Sequence, residues 1–349
     1  METVWFCLIS VMIAVYVLLD GFDLGAGIIH LGAAHTDAER RQILASIGPV
    51  WDGNEVWLLA AGGTLYFAFP VLYASGFSGF YLPLMIVLWL LILRGISIEF
   101  RSHVDSKVWT PLWDVLFSFS SALLAIFYGA ALANVVRGVP LNADGYFFEP
   151  LWTNFRVGRE NGILDWYTVL VGLAAYFALT MHGALWVASR TNGAVCERAR
   201  RAAKWAWLAT LILSVVITWA TFVVQPHVPQ SFRERPYGWI LPVIAMGGLA
   251  GARWMLGKQG SSRAAFFCSC TFLLGMLTSV VFGVYPYVLP SSTDPGYALT
   301  IHNASAAPYG LKIGLIWWVI GMALATGYFT FLYRHFFGKA TPDSEGGSY

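Results

Sequence analysis

The chain has 349 residues, 58% hydrophobic and only 11% charged, with a formal net charge of +2. A soluble domain carries roughly 25% charged residues. This composition excludes a chain that covers itself with a water-facing surface and implies an all-α, polytopic membrane protein.

A membrane span needs ~20 apolar residues. Nine stretches qualify: about 3–31, 50–73, 77–100, 112–136, 164–188, 203–225, 238–257, 264–289 and 310–336. The first follows Met1-Glu2 with no basic lead and no small-residue cleavage site, so it reads as a membrane helix rather than a removed signal peptide. Between the first two spans, Thr36-Asp-Ala-Glu-Arg-Arg has the form of a capped polar helix start. Arg101 to Thr110 is a charged loop, and Arg198 to Lys204 reads as a basic one. The longest connection, about 137–165, holds Pro140, Asn142, Gly145, Pro150 and Gly158 and is expected to be extended or irregular.

These boundaries suggest an organisation. Residues 1–136 form a first four-helix bundle, 137–163 an outer loop, 164–337 five further spans and 338–349 a tail. Most basic residues fall on the side of the first loop, among them Arg40, Arg41, Arg101, Arg198 and Lys204. The excess of positive charge on one side sets the orientation. The N-terminus is therefore expected outside and the C-terminus and tail in the cytoplasm.

The charges inside the spans carry the functional reading. Asp20 and Asp23 lie late in the first span, Asp52 and Glu55 at the start of the second, beside Trp51, and Arg94 and Glu99 late in the third. At 1.5 Å per residue, Asp20 is ~25 Å into its helix. Residues three apart share a helix face, so Asp20 and Asp23 point together, as do Asp52 and Glu55. All six fall at similar depth near the inner surface. An ionisable residue at membrane depth is costly and marks function by default. Charges this close to the surface can also snorkel and merely anchor helices, a reading that suits Glu55 and Glu99 best. Arg94 reads as counter-ion to an aspartate. Together these residues suggest a partly charge-compensated polar pocket facing the cytoplasm.

Metal ligands are sparse. His182 alone among the histidines lies well inside a span, with His30 at an inner end. A bis-histidine haem site needs two ligands facing each other at one depth, and a hydrogen-bonded buried histidine is the commoner arrangement. Cys7, Cys196, Cys268 and Cys270 form no C-x-x-C pair.

Five stretches carry a resemblance. Leu19-Asp-Gly-Phe-Asp-Leu-Gly-Ala-Gly27, Trp51-Asp-Gly-Asn-Glu-Val-Trp57, Ala74-Ser-Gly-Phe-Ser-Gly-Phe-Tyr81, Arg94-Gly-Ile-Ser-Ile-Glu-Phe-Arg101 and Pro290-Ser-Ser292 resemble subunit II of cytochrome bd-type quinol oxidases, including the cyanide-insensitive relatives. The resemblance runs through the whole chain in order. It implies nine transmembrane helices built as two four-helix bundles plus one, in the bacterial cytoplasmic membrane. It implies a heterodimer with subunit I, commonly joined by a small single-helix subunit, within membrane lipid. That complex oxidises quinol and reduces dioxygen to water. The two b-type haems, haem d and the quinol site are then expected on subunit I, with no haem or metal ligated by this chain. Asp52 matches an aspartate on a proposed proton route from the cytoplasm. Asp23, Arg94 and Glu99 match neighbouring polar positions, and Asp20 opens the same motif. Glu55 stands where relatives carry an amide, and Glu99 where they carry an aspartate.

Without the resemblance, intramembrane acids suit a proton- or ion-coupled secondary transporter equally well. That reading favours an internal repeat and helices broken near the midplane, and no residue-level repeat is visible in the chain.

Overall fold

The computed structural model describes residues 1–104, 106–158, 162–258, 261–336 and 338. The chain is built from long helices: α1 (Glu2–Ala33), α2 (Asp37–Ile47), α3 (Trp51–Ala68), α4 (Pro70–Gly79), α5 (Tyr81–Phe100), α6 (Trp109–Arg137), α7 (Trp166–Arg190), α8 (Gly193–Val224), α9 (His227–Glu234), α10 (Ile240–Gly257), α11 (Ser262–Val284) and α12 (Pro308–Phe336). Two short antiparallel strands, β1 (Tyr287–Leu289) and β2 (Leu299–Thr300), join α11 to α12. The tail beyond Gly338, including Lys339, lies outside the described residues, as do Arg159 and Asp105.

Eight of these helices are long and apolar enough to cross a membrane. The expected span 50–73 is not among them, because it is two helices rather than one. α3 is only 18 residues long and opens on Asp52, Asn54 and Glu55. It stops where Pro70 follows Phe69. A residue before proline is pushed out of the helical region, and Phe69 has φ −133° and ψ 66°. Pro70 then starts α4 as its first residue, where its missing N–H costs nothing.

Two further boundaries differ from the sequence reading. The basic stretch 198–204 is the first part of α8 rather than a loop. Its apolar side packs through Val195, Ala199 and Ala203, all buried. Arg198 donates to the Ala33 carbonyl at the end of α1. Span 264–289 ends at Val284, since residues 287–289 pair with β2. The cap at Thr36 forms as expected. Its hydroxyl accepts from the Glu39 N–H, and the Glu39 carboxylate accepts from the Thr36 N–H.

α1 is the central element. It packs against α3, α6 and α7, while α5 packs on α6, α8 on α7, and α10 on α11. Helices can approach closely only where side chains are absent. At the α1–α7 crossing, a Cβ on Gly25 would lie 2.7 Å from the Gly183 Cα and would also overlap the Leu179 carbonyl oxygen. At the α6–α7 crossing, a Cβ on Gly129 would meet Gly172 Cα at 2.8 Å. α12 leans on the outside. Trp5 Nε1 donates to the Leu311 carbonyl, while Trp317 and Leu324 stay 69% and 72% exposed.

One end of the bundle carries α2. The other is closed by a cluster of Trp5, Phe69, Val139, Leu141, Phe147 and Ile301 beneath the 138–165 connection. The described residues of that connection contain no helix, as its composition suggests. It is fixed by Arg137, whose guanidinium pairs with Asp165, the N-cap of α7, and with Glu149 at 2.8 Å. Burial pushes the Glu149 carboxyl up from 4.5 to about 7, because Arg137 is shared with Asp165 and offsets the lost hydration only in part. The folded chain then holds this proton more tightly than the unfolded one. Stability from Glu149 is fully present below about pH 4.5 and declines as pH rises through 7. Thermal unfolding followed between pH 5 and pH 8 should show this decline, and Glu149→Gln should flatten it. A Glu149→Gln profile as steep as the wild type would contradict the assignment.

Candidate functional site

The helix crossings bring Asp20 and Asp23 of α1, Asn54 and Glu55 of α3, and Arg94 of α5 to one place. Asp20, Asp23, Asn54 and Arg94 are each at most 1% exposed. Arg94 is the hub. Its Nη1 donates to Asp20 Oδ2 at 2.8 Å, and its Nη2 lies 2.6 Å from Asp20 Oδ1 and 3.0 Å from Glu55 Oε2. A planar guanidinium that meets a carboxylate at two points is the strong form of this pair. Its Nε has no partner.

Asp23, one turn further along the same face, is held differently. Asn54 Nδ2 donates to Asp23 Oδ2 at 2.8 Å, and the other oxygen, Oδ1, is buried without a partner. The Asn54 carbonyl oxygen accepts from the Tyr333 hydroxyl of α12 at 2.8 Å. On the opposite side of Asp20, one helical turn earlier on α1, the Tyr16 hydroxyl donates to the Tyr128 hydroxyl of α6 at 2.8 Å. The cluster thus holds three carboxylates against one guanidinium, with amide and hydroxyl groups continuing it toward α12 and α6. Three carboxyl groups therefore share one guanidinium, and the acceptor Oδ1 of Asp23 is left unfilled.

The remaining sequence candidates stand apart from this cluster. Asp52 is exposed at the start of α3. Trp51 is half-buried, with its ring 3.6 Å from where a Cβ on Gly95 would be. Glu99 is half-buried, and its backbone carbonyl, rather than its carboxylate, meets His103. Glu55 therefore turns toward Arg94, while Asp52, three residues earlier, faces away.

A second buried cluster escaped the sequence reading. Asp114 of α6 is fully buried and accepts from three cations or potential cations. His30 Nε2 is at 2.7 Å, Arg40 Nη1 at 2.8 Å and Arg101 Nε at 2.6 Å. Arg101 also reaches Asp37 at 2.7 Å. This knot ties α1, α2, α5 and α6 together. The available signal was a carboxylate two residues into a predicted span, with Arg101 in the loop before it.

His30 and His182 are both engaged inside the chain. His30 is engaged by Asp114, and both ring nitrogens of His182 are in hydrogen bonds, to Ser269 Oγ at 2.7 Å and to the Leu18 carbonyl at 2.9 Å. Among the described residues no group of three or more His, Cys, Asp and Glu could hold a metal ion.

Residues 1–336 match the family described as cytochrome bd terminal oxidase subunit II. The chain is 30% identical to a probable cytochrome oxidase subunit 2 of Haemophilus influenzae, across 96% of this chain and 94% of that one. It is 27% identical to the cytochrome bd-I ubiquinol oxidase subunit 2 of Escherichia coli K12, across 97% and 95%. It is 30% identical to the cytochrome bd ubiquinol oxidase subunit 2 of Bacillus subtilis, across 90% and 89%. In fold it is similar to a chain of the bd oxidase from Geobacillus thermodenitrificans, with a TM-score of 0.75 at 18% identity, covering 96% of this chain and 98% of that one. With a match that runs through all but its last residues, the chain belongs to the cytochrome bd terminal oxidase subunit II family.

Proposed function

We propose that this chain works as the second subunit of a membrane-bound quinol oxidase that reduces dioxygen to water. It supports a haem-bearing subunit I and lines a route by which protons enter from the cytoplasm. The observation that carries the route is the hydrogen-bonded run Tyr333–Asn54–Asp23 beside Asp20–Arg94–Glu55. The haems and the quinol site belong to subunit I in this reading, in keeping with the engagement of His30 and His182 inside this chain. A small single-helix subunit and membrane lipid complete the assembly.

The proposed topology has nine crossings: the eight long apolar helices and α3. α1, α3, α5 and α6 form one four-helix bundle, α7, α8, α10 and α11 the second, and α12 is the ninth. The N-terminus lies outside and the α2 end of the bundle faces the cytoplasm. Protons for dioxygen reduction then travel inward along the acids from the α2 end. Each charge moved against the field stores ~2.3 kcal/mol per 100 mV. Asp52 is exposed at the same end of α3. An exposed carboxylate there needs either water or a polar partner surface, so it suits the mouth of the route, with Trp51 and Glu99 at its rim. The transporter reading needs helices broken near the midplane, whereas α3 breaks at Phe69, inside the cluster that closes the far end.

Turnover with intact haem content decides the matter. Asp23→Asn and Asp52→Asn in the assembled oxidase should each slow oxygen consumption by at least about tenfold, a positioned proton-transfer group typically contributing about 10²–10⁴-fold. Full activity in both variants would leave the acids a structural role only.

A further inference from the structure

Tyr333 stands near the end of α12, 279 positions from Asn54, yet its hydroxyl meets the Asn54 side-chain oxygen at 2.8 Å. Asn54 is buried and has one amide to share. Its oxygen faces Tyr333 and its nitrogen faces Asp23, with a longer contact of 3.4 Å to the Leu19 carbonyl. A phenol can donate to an amide oxygen or accept from an amide N–H, whereas a carbonyl can only accept, so the Tyr333 hydroxyl and the Leu19 carbonyl together favour the orientation with the oxygen at Tyr333. With the oxygen held, the nitrogen must point at Asp23. We propose that Tyr333 is a positioning residue that locks Asn54 as a hydrogen-bond donor to Asp23, so that α12 governs which protonation state of Asp23 the route accommodates. This rests on the proton-route reading above.

The physical step is an amide flip. A carboxylate accepts hydrogen bonds and a carboxylic acid also donates one. An amide held with N–H toward Asp23 serves the carboxylate. An amide free to rotate can turn its oxygen to the acid form and serve that as well. Asp23 Oδ1 has no partner, so the further contact that the flip gives up is the 3.4 Å one from Asn54 Nδ2 to the Leu19 carbonyl. The other charged groups around it are Asp20 on its own helix, Arg94 on α5 and Glu55 on α3. Asp20 and Glu55 are tied to Arg94 rather than to Asp23. Phe329 and Trp186 surround the Tyr333 ring at 6.4 Å and 6.5 Å, so the ring has its packing independently of the hydroxyl. Removing one oxygen atom from Tyr333 is therefore a change in the amide's freedom more than in the fold.

The test is Tyr333→Phe in the complete oxidase, with the haem spectrum as a measure of assembly. Infrared difference spectra would follow the carbonyl band of a protonated buried carboxylic acid, assigned to Asp23 by its loss in Asp23→Asn. In Tyr333→Phe that band should appear or grow at a pH where the wild type shows little of it. Turnover should fall about fivefold, the worth of one neutral hydrogen bond, and no further in a background already carrying Asp23→Asn. Asn54→Leu, similar in volume and unable to make either bond, should reproduce the band. An unchanged band together with unchanged turnover in Tyr333→Phe would overturn the inference. Wild-type turnover in Asp23→Asn would instead remove the proton route, while the infrared band would still decide whether Tyr333 acts on Asp23.

Discussion

Replacing Arg94 with leucine is expected to abolish accumulation of the assembled oxidase. The guanidinium is fully buried and, among the described residues, is the only cation in contact with Asp20 and Glu55. It lies six residues before the end of α5, so it is ~9 Å from that helix end. Neither Asp20 nor Arg94 has a route to water of its own, and both side chains have no exposed surface. Breaking a buried ion pair by removing one partner costs about 3–5 kcal/mol, because the remaining charge is left without compensation. That is a large share of the 5–15 kcal/mol by which a folded chain is stable. Two responses are open to the orphaned acids: they take up protons, or the helices part to admit water. Both destroy the arrangement that holds Asp20. Arg94→Lys should rescue only in part, since an ammonium cannot meet Asp20 at two points and Glu55 at a third. Arg94→Leu combined with Asp20→Asn should recover part of the loss, because the desolvated charge goes with its partner. Yield of haem-containing complex and its thermal midpoint measure all three. Normal yield and an unchanged midpoint in Arg94→Leu would mean that Asp20 is not charged in the resting protein.

The legible part of this site was the part encoded along single helices. Asp20 and Asp23 are three apart in an apolar run, which is enough to put them on one face, and the structure buries both. Arg94 as counter-ion followed from the cost of a lone charge at depth, and Asp20 is its partner. The same spacing rule proved too coarse at Asp52 and Glu55. Three residues are 300° around a helix, so such neighbours still differ by ~60°. At the rim of a packed face that angle separates Glu55, which is turned to Arg94, from Asp52, which is exposed. Tyr333 and Tyr128 reach the cluster only through tertiary packing, and a tyrosine in a membrane helix ordinarily reads as an interface anchor. Asp114 was hidden for a different reason. Its three partners come from the end of α1, from α2 and from the end of α5, so no local pattern collects them. The break in α3 was legible in Pro70, yet hydropathy alone runs straight across it. The start of α8 was not, because a helix that continues beyond the apolar region looks like a basic loop until its buried Ala199 and Ala203 find their partners.

A leucine at Gly25 is expected to prevent α1 from docking on α7, with loss of the complex. Two opposing effects meet at this position. Glycine inside a helix is less favourable than alanine by about 1 kcal/mol, so intrinsic propensity favours any substitution here. The packing argues the other way. A Cβ would overlap the Leu179 carbonyl oxygen and lie 2.7 Å from both the Cα and the amide nitrogen of Gly183, and these are backbone atoms that cannot rotate aside. Overpacking against side chains costs about 1–3 kcal/mol, and here the helices themselves must separate. The contacts that depend on their closeness would go together: the His182–Leu18 hydrogen bond at 2.9 Å and the Phe22–Trp186 stack at 4.0 Å between ring centroids. Asp20 and Asp23 sit on the same stretch of α1, so their alignment with Asn54 and Arg94 would be lost as well. Gly32 supplies the control. It lies seven residues further along α1 with nothing within 4 Å of its added Cβ. Gly32→Ala should therefore leave stability unchanged or raise it by up to about 1 kcal/mol, while Gly25→Ala should lower it and Gly25→Leu should lower it further. Thermal midpoints and haem content of the three variants, measured side by side, separate helix propensity from helix contact. Equal midpoints for Gly25→Ala and Gly32→Ala would show that α1 and α7 do not touch at Gly25.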